Sequence, residues 1–165
     1  MSSIEISKPY AMSPNSAGGV EVLHEIYNAT DKTMKYITIT YVPYNSVGDI
    51  VSCTVKKISE ARCQLTGPIL PGKCDFISWK NLWYNPTIDT AKIKEVKIQY
   101  MDDTEETISG EDIVDFDSPD SKFGNTRRLE RETKEKKKKK IKLIVGGIIV
   151  AFVLLSIIST IKSLF

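Results

Sequence analysis

Between Val20 and Ile108 apolar and polar residues alternate with a period of two, in runs broken by Gly, Pro, Asn and Asp. That is how half-buried strands look. "VEVLHEI" places Val20, Val22, His24 and Ile26 on one face, and "NATDK" turns the chain. In "MKYITITYVPY" Ile37, Ile39 and Tyr41 oppose Tyr36, Thr38, Thr40 and Val42, a β-branched and aromatic set suited to a pleated surface. After a turn at 45–49, "IVSCTVKKI" reads as the next strand and "TGPILPG" as a loop. The aromatic cluster "WKNLWYN" precedes "IKEVKIQYM", which turns Val96, Ile98 and Tyr100 inward. "DD" then connects to "TEETI" in a terminal hairpin. About six or seven strands at such spacings predict an all-β fold, an antiparallel sandwich of the immunoglobulin-like kind.

The pattern changes towards the C-terminus. The predicted order is an N-terminal arm at 1–13, the sandwich at 14–111, a charged linker at 112–135 with Pro119 and Gly124 as breakers, a polybasic segment at 136–142, an apolar helix at 143–161 and a tail at 162–165. The apolar stretch carries no formal charge. At about 1.5 Å per residue it is about 28 Å long, close to the bilayer core. Leu, Ile, Val and Phe dominate it, and each favours insertion by about 0.3–0.6 kcal/mol. A single C-terminal transmembrane helix is therefore expected. Lys136, Lys137, Lys138, Lys139, Lys140 and Lys142 precede it and only Lys162 follows, a bias that puts the N-terminal domain in the cytoplasm. These lysines are the expected contacts to anionic lipid, at about 1 kcal/mol each. Gly147 and Ala151 are four residues apart and would permit a weak homodimer through close helix approach.

Charge sharpens this division. Residues 1–117 hold 11 Lys and Arg against 17 Asp and Glu, whereas residues 118–142 hold 11 against 4. The basic charge lies outside the expected domain, which argues against a nucleic-acid ligand. The N-terminal stretch lacks the charged and apolar regions of a secretory signal. Cys53, Cys63 and Cys74 show no close pairing, so a zinc site with His24 lacks its usual ligand spacing. A disulfide between Cys63 and Cys74 would require an oxidising compartment; reduced cysteines near the core are expected.

Several motifs carry a resemblance. "PNSAGGV" (14–20), "PYNSVGD" (43–49), "TGP" (66–68), "WYN" (83–85) and "VKIQYMDD" (96–103) resemble a bacterial family of β-sandwich domains with no established function. The resemblance covers about residues 6–108. It implies the sandwich and an envelope-associated or membrane-tethered setting, and adds no activity. Asp102-Asp103 stands where that family tends to show Asp-Gly.

Trp79, Trp83 and Tyr84 are the candidate ligand aromatics, with packing in the core as the favoured role and Trp83 as the main core plug. Tyr84 and Asn85, beside Pro86, are expected to bridge a turn, with the tyrosine hydroxyl and the asparagine amide satisfying loop backbone groups. Gly18 and Gly19 lead into a strand with no following Lys-Ser/Thr, unlike a phosphate loop. Asp112, Asp115, Asp117 and Asp120 lack calcium-loop spacing. His24, the only imidazole, sits in a strand away from any recognisable nucleophile turn. The expectation is a non-catalytic, membrane-tethered binding module with a protein partner, no cofactor and no metal. The alternative is an outer-face domain that binds carbohydrate through Trp79, Trp83 and Tyr84.

Overall fold

A computed structural model describes residues 3–162, the side chains of Leu143 and residues 145–162 excepted. Residues up to Gly124 form one compact unit and those from Asn125 a second. The first contains two facing sheets. One is built on β3 (Gly19–Asn28), with β6 (Cys74–Tyr84) along one side and β1 (Ile4–Ile6) and β2 (Tyr10–Ala11) end to end along the other; β9 (Val114–Asp115) adds to β1. The other has the order β5 (Ala61–Ile69), β4 (Met34–Tyr44), β7 (Thr90–Tyr100) and β8 (Glu105–Ser109). All pairings are antiparallel except β1 with β9.

The period-two pattern explains the core. Val20, Val22 and Ile26 of β3 meet Ile37, Ile39 and Tyr41 of β4 and Val96 and Ile98 of β7, all buried, with Trp83 fully enclosed among them. Each such side chain contributes about 1.5–3 kcal/mol by leaving water. The 101–104 connection closes the β7–β8 hairpin, where Asp103 takes φ +60° and its amide donates to the Tyr100 carbonyl. Asp tolerates this left-handed conformation better than most residues.

Four expectations change. Residues 51–60 are not a strand. Ile50 makes one bridge to Tyr44, and the chain then coils into a turn in which the Lys57 amide donates to the Cys53 carbonyl and Lys57 takes φ +57°. That turn is fastened to the end of β6: the amides of Lys56 and Tyr84 donate to Cys53 Sγ, and Thr54 N–H donates to the Tyr84 carbonyl at 2.7 Å. The strand is instead β5, which takes in Thr66, Gly67 and Pro68 of the expected loop. A Cβ on Gly67 would stand 2.4 Å from the Met34 carbonyl oxygen. Glycine allows the edge strand to pass there, opposite an irregularity in β4.

Residues 4–6 are not part of an arm, because Ile4 and Ile6 are in the core. Nor are residues 112–124 a solvated linker. Phe116 is buried, and Phe123 stacks on Tyr27 with centroids 4.8 Å apart and meets Phe116 edge-on at 4.7 Å. Gly124 is a close-approach residue, since a Cβ would lie 1.7 Å from the Phe116 carbonyl oxygen.

The buried carboxylate of Glu5 organises this segment. It accepts hydrogen bonds from the Ser121 hydroxyl (2.7 Å) and from the amides of Lys122 (2.9 Å) and Phe123 (3.0 Å). Ser121 in turn accepts from the Gly124 amide at 2.8 Å. The first three amides of α1 (Lys122–Lys162) are thereby capped, two of them by a carboxylate more than a hundred residues away in sequence. Lys136, Lys137, Lys138, Lys139, Lys140 and Lys142 are exposed on α1. The expected span at 143–161, with its Gly147 and Ala151, falls almost wholly on side chains outside the described residues. Among the described residues, no helix is long and apolar enough to cross a membrane.

Glu5→Ala should leave three donors without their acceptor and lower stability by about 2–4 kcal/mol, with Glu5→Gln costing less. Urea unfolding followed by tryptophan fluorescence reads both.

Candidate functional site

Loops at one end of the sandwich share a construction. In 15–19 the Asn15 side-chain oxygen accepts from the amides of Ala17 and Gly19, both at 2.9 Å, and Gly18 takes φ +79°. In 45–49 Asn45 accepts from Val47 (3.1 Å) and Asp49 (2.8 Å), and Gly48 takes φ +88°. Asn85 does the same for Thr87 and also donates to the Ser52 carbonyl at 2.8 Å, the bridging role expected of it. The two "NS-x-G" stretches are therefore matching turns, in which Asn supplies the acceptor and Gly the left-handed backbone. Their glycines have no phosphate-loop geometry, because both lead to or from strands.

The aromatic candidates divide. Trp83 is fully buried and presents nothing to a ligand. Trp79 is half-buried; its indole N–H donates to the Tyr41 hydroxyl at 2.8 Å. The Tyr41 hydroxyl also shares a hydrogen bond with His24 Nε2, 2.5 Å away. His24, Tyr41 and Trp79 thus form a buried polar bridge between the sheets, from β3 to β4 and β6. Burial lowers the His24 pKa to about 4, opposed by the neighbouring Glu25 backbone. Burial likewise raises that of the Tyr41 phenol, against the hydrogen bond from Trp79. Tyr84 is half-buried near Cys53, and its backbone, not its hydroxyl, carries the contacts to the 51–60 turn.

Cys53 is buried, Cys63 half-buried and Cys74 exposed. Cys63 lies on β5 and Cys74 on β6, which belong to different sheets. Among the described residues, no three His, Cys, Asp or Glu side chains gather as a metal site would require. Asp115 and Ser118 instead accept amides of Asp117 and Asp120 in local turns.

One concavity was not revealed by the sequence pattern. A cleft of about 1040 Å³ opens along the seam between the sheets. Ile6, Val42, Ala91, Ile93 and Ile113 supply its apolar side, and its rim carries Lys8, Lys92 and Lys94 with Glu60, Glu111 and Asp115. Lys94 is paired to Glu60 at 2.5 Å, and Lys92 stands 4.7 Å from the centre of the Tyr44 ring. An apolar floor with charged groups at the margin suits a ligand that buries side chains and leaves polar groups at the edge. None of Trp79, Trp83 and Tyr84 lines it. The only available signals were Lys92 and Lys94 flanking Ile93, which resemble ordinary strand alternation until the neighbouring strand is seen to stop short.

No family model matches the chain, and neither a curated protein nor a solved structure is significantly similar to it.

The histidine gives a pH signature. Its folded pKa lies below the unfolded value of 6.5, so its contribution is complete above pH 6.5 and is lost as the pH falls towards 4. The total loss is about 3 kcal/mol. Urea midpoints measured from pH 7 to 4 should fall accordingly, and His24→Gln should remove this part of the slope.

Proposed function

We propose that the protein is a single-pass, membrane-tethered binding module that takes a protein partner in the seam cleft and performs no chemistry. The observation that carries this reading is the cleft itself: it exposes part of the apolar interior between two sheets whose other contacts are well packed. Its size falls at the upper end of the range for ligand pockets. The enclosed, neutral His24 has no route to a substrate, and this favours binding over catalysis.

In the full reading, an immunoglobulin-like sandwich leads into a helix whose exposed lysines meet anionic headgroups and whose segment 143–161 crosses the bilayer. The excess of lysine before that segment favours a cytoplasmic position for the sandwich. The resemblance of its turn motifs to envelope-associated or membrane-tethered bacterial β-sandwich domains supports a membrane setting, and its envelope association favours the outer-face alternative. One of those motifs, at 43–49, reaches the cleft through Tyr44.

Protease added to intact cells should leave the sandwich whole and should cut it after permeabilisation. Digestion from outside would reverse the topology and favour an outer-face role. A photoactivatable cross-linker in place of Lys92 should give a discrete protein adduct in cells. The same group in place of exposed Lys80 on β6 should not. Equal labelling at both positions would remove the cleft from the proposal.

A further inference from the structure

The segment between β4 and β5 leaves much apolar surface in water. Val47 is 78% exposed, Ile50 59%, Val55 69% and Ile58 48%, four β-branched aliphatics within twelve residues of loop. Turns and loops ordinarily fill such positions with Gly, Pro, Asn, Asp and Ser. Single exposed aliphatics need no explanation, whereas several on neighbouring loops mark a contact surface.

Hydrogen bonds bring these loops together. The Asn45 amide donates to the Asp49 carbonyl at 3.0 Å and the Asn45 side chain accepts from Val47 and Asp49, which puts Val47 at the tip of the first turn. Ile50 then bridges back to Tyr44. In the second turn the Cys53 amide donates to the Ile58 carbonyl and the Lys57 amide to the Cys53 carbonyl, both at 2.9 Å, and Val55, Lys56, Lys57 and Ile58 are exposed in a row. Both turns are fastened to the segment after β6. The Asp89 amide donates to the Tyr44 carbonyl at 2.9 Å, the Thr54 amide to the Tyr84 carbonyl at 2.7 Å, and the Asn85 side chain to the Ser52 carbonyl at 2.8 Å. The turns therefore stand at the same end of the sandwich, closed by hydrogen bonds, with their aliphatic side chains left in water.

Charge indicates what covers them. Lys56 and Lys57 interrupt the apolar tip, and neither forms an ion pair with a described residue. The carboxylates of the stretch, Asp49 and Glu60, lie outside 53–58, and Glu60 is held by Lys94 at 2.5 Å. At the opposite end of the sandwich Leu70 and Met101 are also exposed, but there Lys32 and Lys35 are matched by Asp102 at 2.7 Å and Asp103 at 2.9 Å. A partner that takes aliphatic side chains and uncompensated lysines together is apolar beneath an anionic surface. A bilayer containing anionic lipid has that layering, with negative headgroups above acyl chains.

We infer that the 45–49 and 53–58 turns dip into the headgroup region of an anionic bilayer, the same one that segment 143–161 is proposed to cross. Val47, Val55 and Ile58 then reach the upper acyl carbons, and Lys56 and Lys57 lie at the phosphates. Magnitude selects that bilayer. Two lysines and a few partly immersed aliphatics give an affinity of only about 1 mM, too weak to recruit a free domain but matched to the effective concentration of a tethered one. The inference rests on the membrane-tethered reading above and adds a second point of contact.

Paramagnetic broadening tests it in the full chain, reconstituted in nanodiscs of phosphatidylcholine and phosphatidylserine that carry a headgroup spin label. The amide signals of Val47, Val55, Lys56, Lys57 and Ile58 should be broadened, and those of Asp31 and Asp102 at the other end should stay sharp. Omitting phosphatidylserine should reduce the broadening at least about threefold. Val55→Asp with Lys56→Glu should abolish it, while amide exchange in β3 stays as in the wild type. Broadening that is equal at both ends, indifferent to phosphatidylserine or unchanged in the double variant would overturn the inference. A chain that co-purifies with the discs but keeps sharp signals at 47 and 55–58 would refute the loop contact alone. A chain that does not co-purify with them would end the tethered reading and the inference with it.

Discussion

The carboxylate of Glu5 closes the fold. It lies in a short N-terminal strand, is almost completely shielded from water, and gathers the Ser121 hydroxyl with the first two amides of α1. A buried carboxylate is costly unless its lone pairs are filled. Here donors supplied from the far end of the unit fill them. The start and the end of the unit must therefore meet at one place, and neither β1 nor the Phe116 to Gly124 segment is satisfied alone.

The geometry of the cleft follows from that meeting. For Ser121 to reach Glu5, the chain has to leave β8 early and cross to the opposite sheet, where β9 lies parallel to β1. β8 cannot then accompany β7 to its start. The seam stays open beside residues 90–94, and the apolar floor behind it is reachable from solvent. A continuous β8 would close the seam and leave Phe116 and Phe123 without their packing against Tyr27. The cap and the cleft are two results of one crossing.

A second polar device lies inside. Trp79, Tyr41 and His24 form a chain of hydrogen bonds between sheets otherwise held by aliphatic packing. Such a chain fixes which groups face each other, since a slipped register would strand a buried donor or acceptor. The asparagine-centred turns provide matching order at one end. Each holds its loop by side-chain acceptance of backbone amides, and the turn at 45–49 follows Tyr44 at the rim of the cleft.

Much of this was legible in the residues themselves. Alternation alone separated the two faces of β3 and β4 and identified the inward face of β7, because a strand places every second side chain on one side and only apolar ones leave water at a gain. Asn and Gly marked the turns through their local hydrogen bonding and left-handed backbone, and Trp83 was recognisable as a core residue by its size. The β5 strand, the folded 112–124 segment and the role of Glu5 were hidden. "TGP" reads as a loop until the neighbouring backbone shows why it runs as an edge strand, and a glutamate between two isoleucines reveals nothing of a partner more than a hundred residues away. The cleft was hidden for the same reason. It is defined by where one strand stops relative to another, a long-range relation that tertiary packing settles and local pattern does not contain.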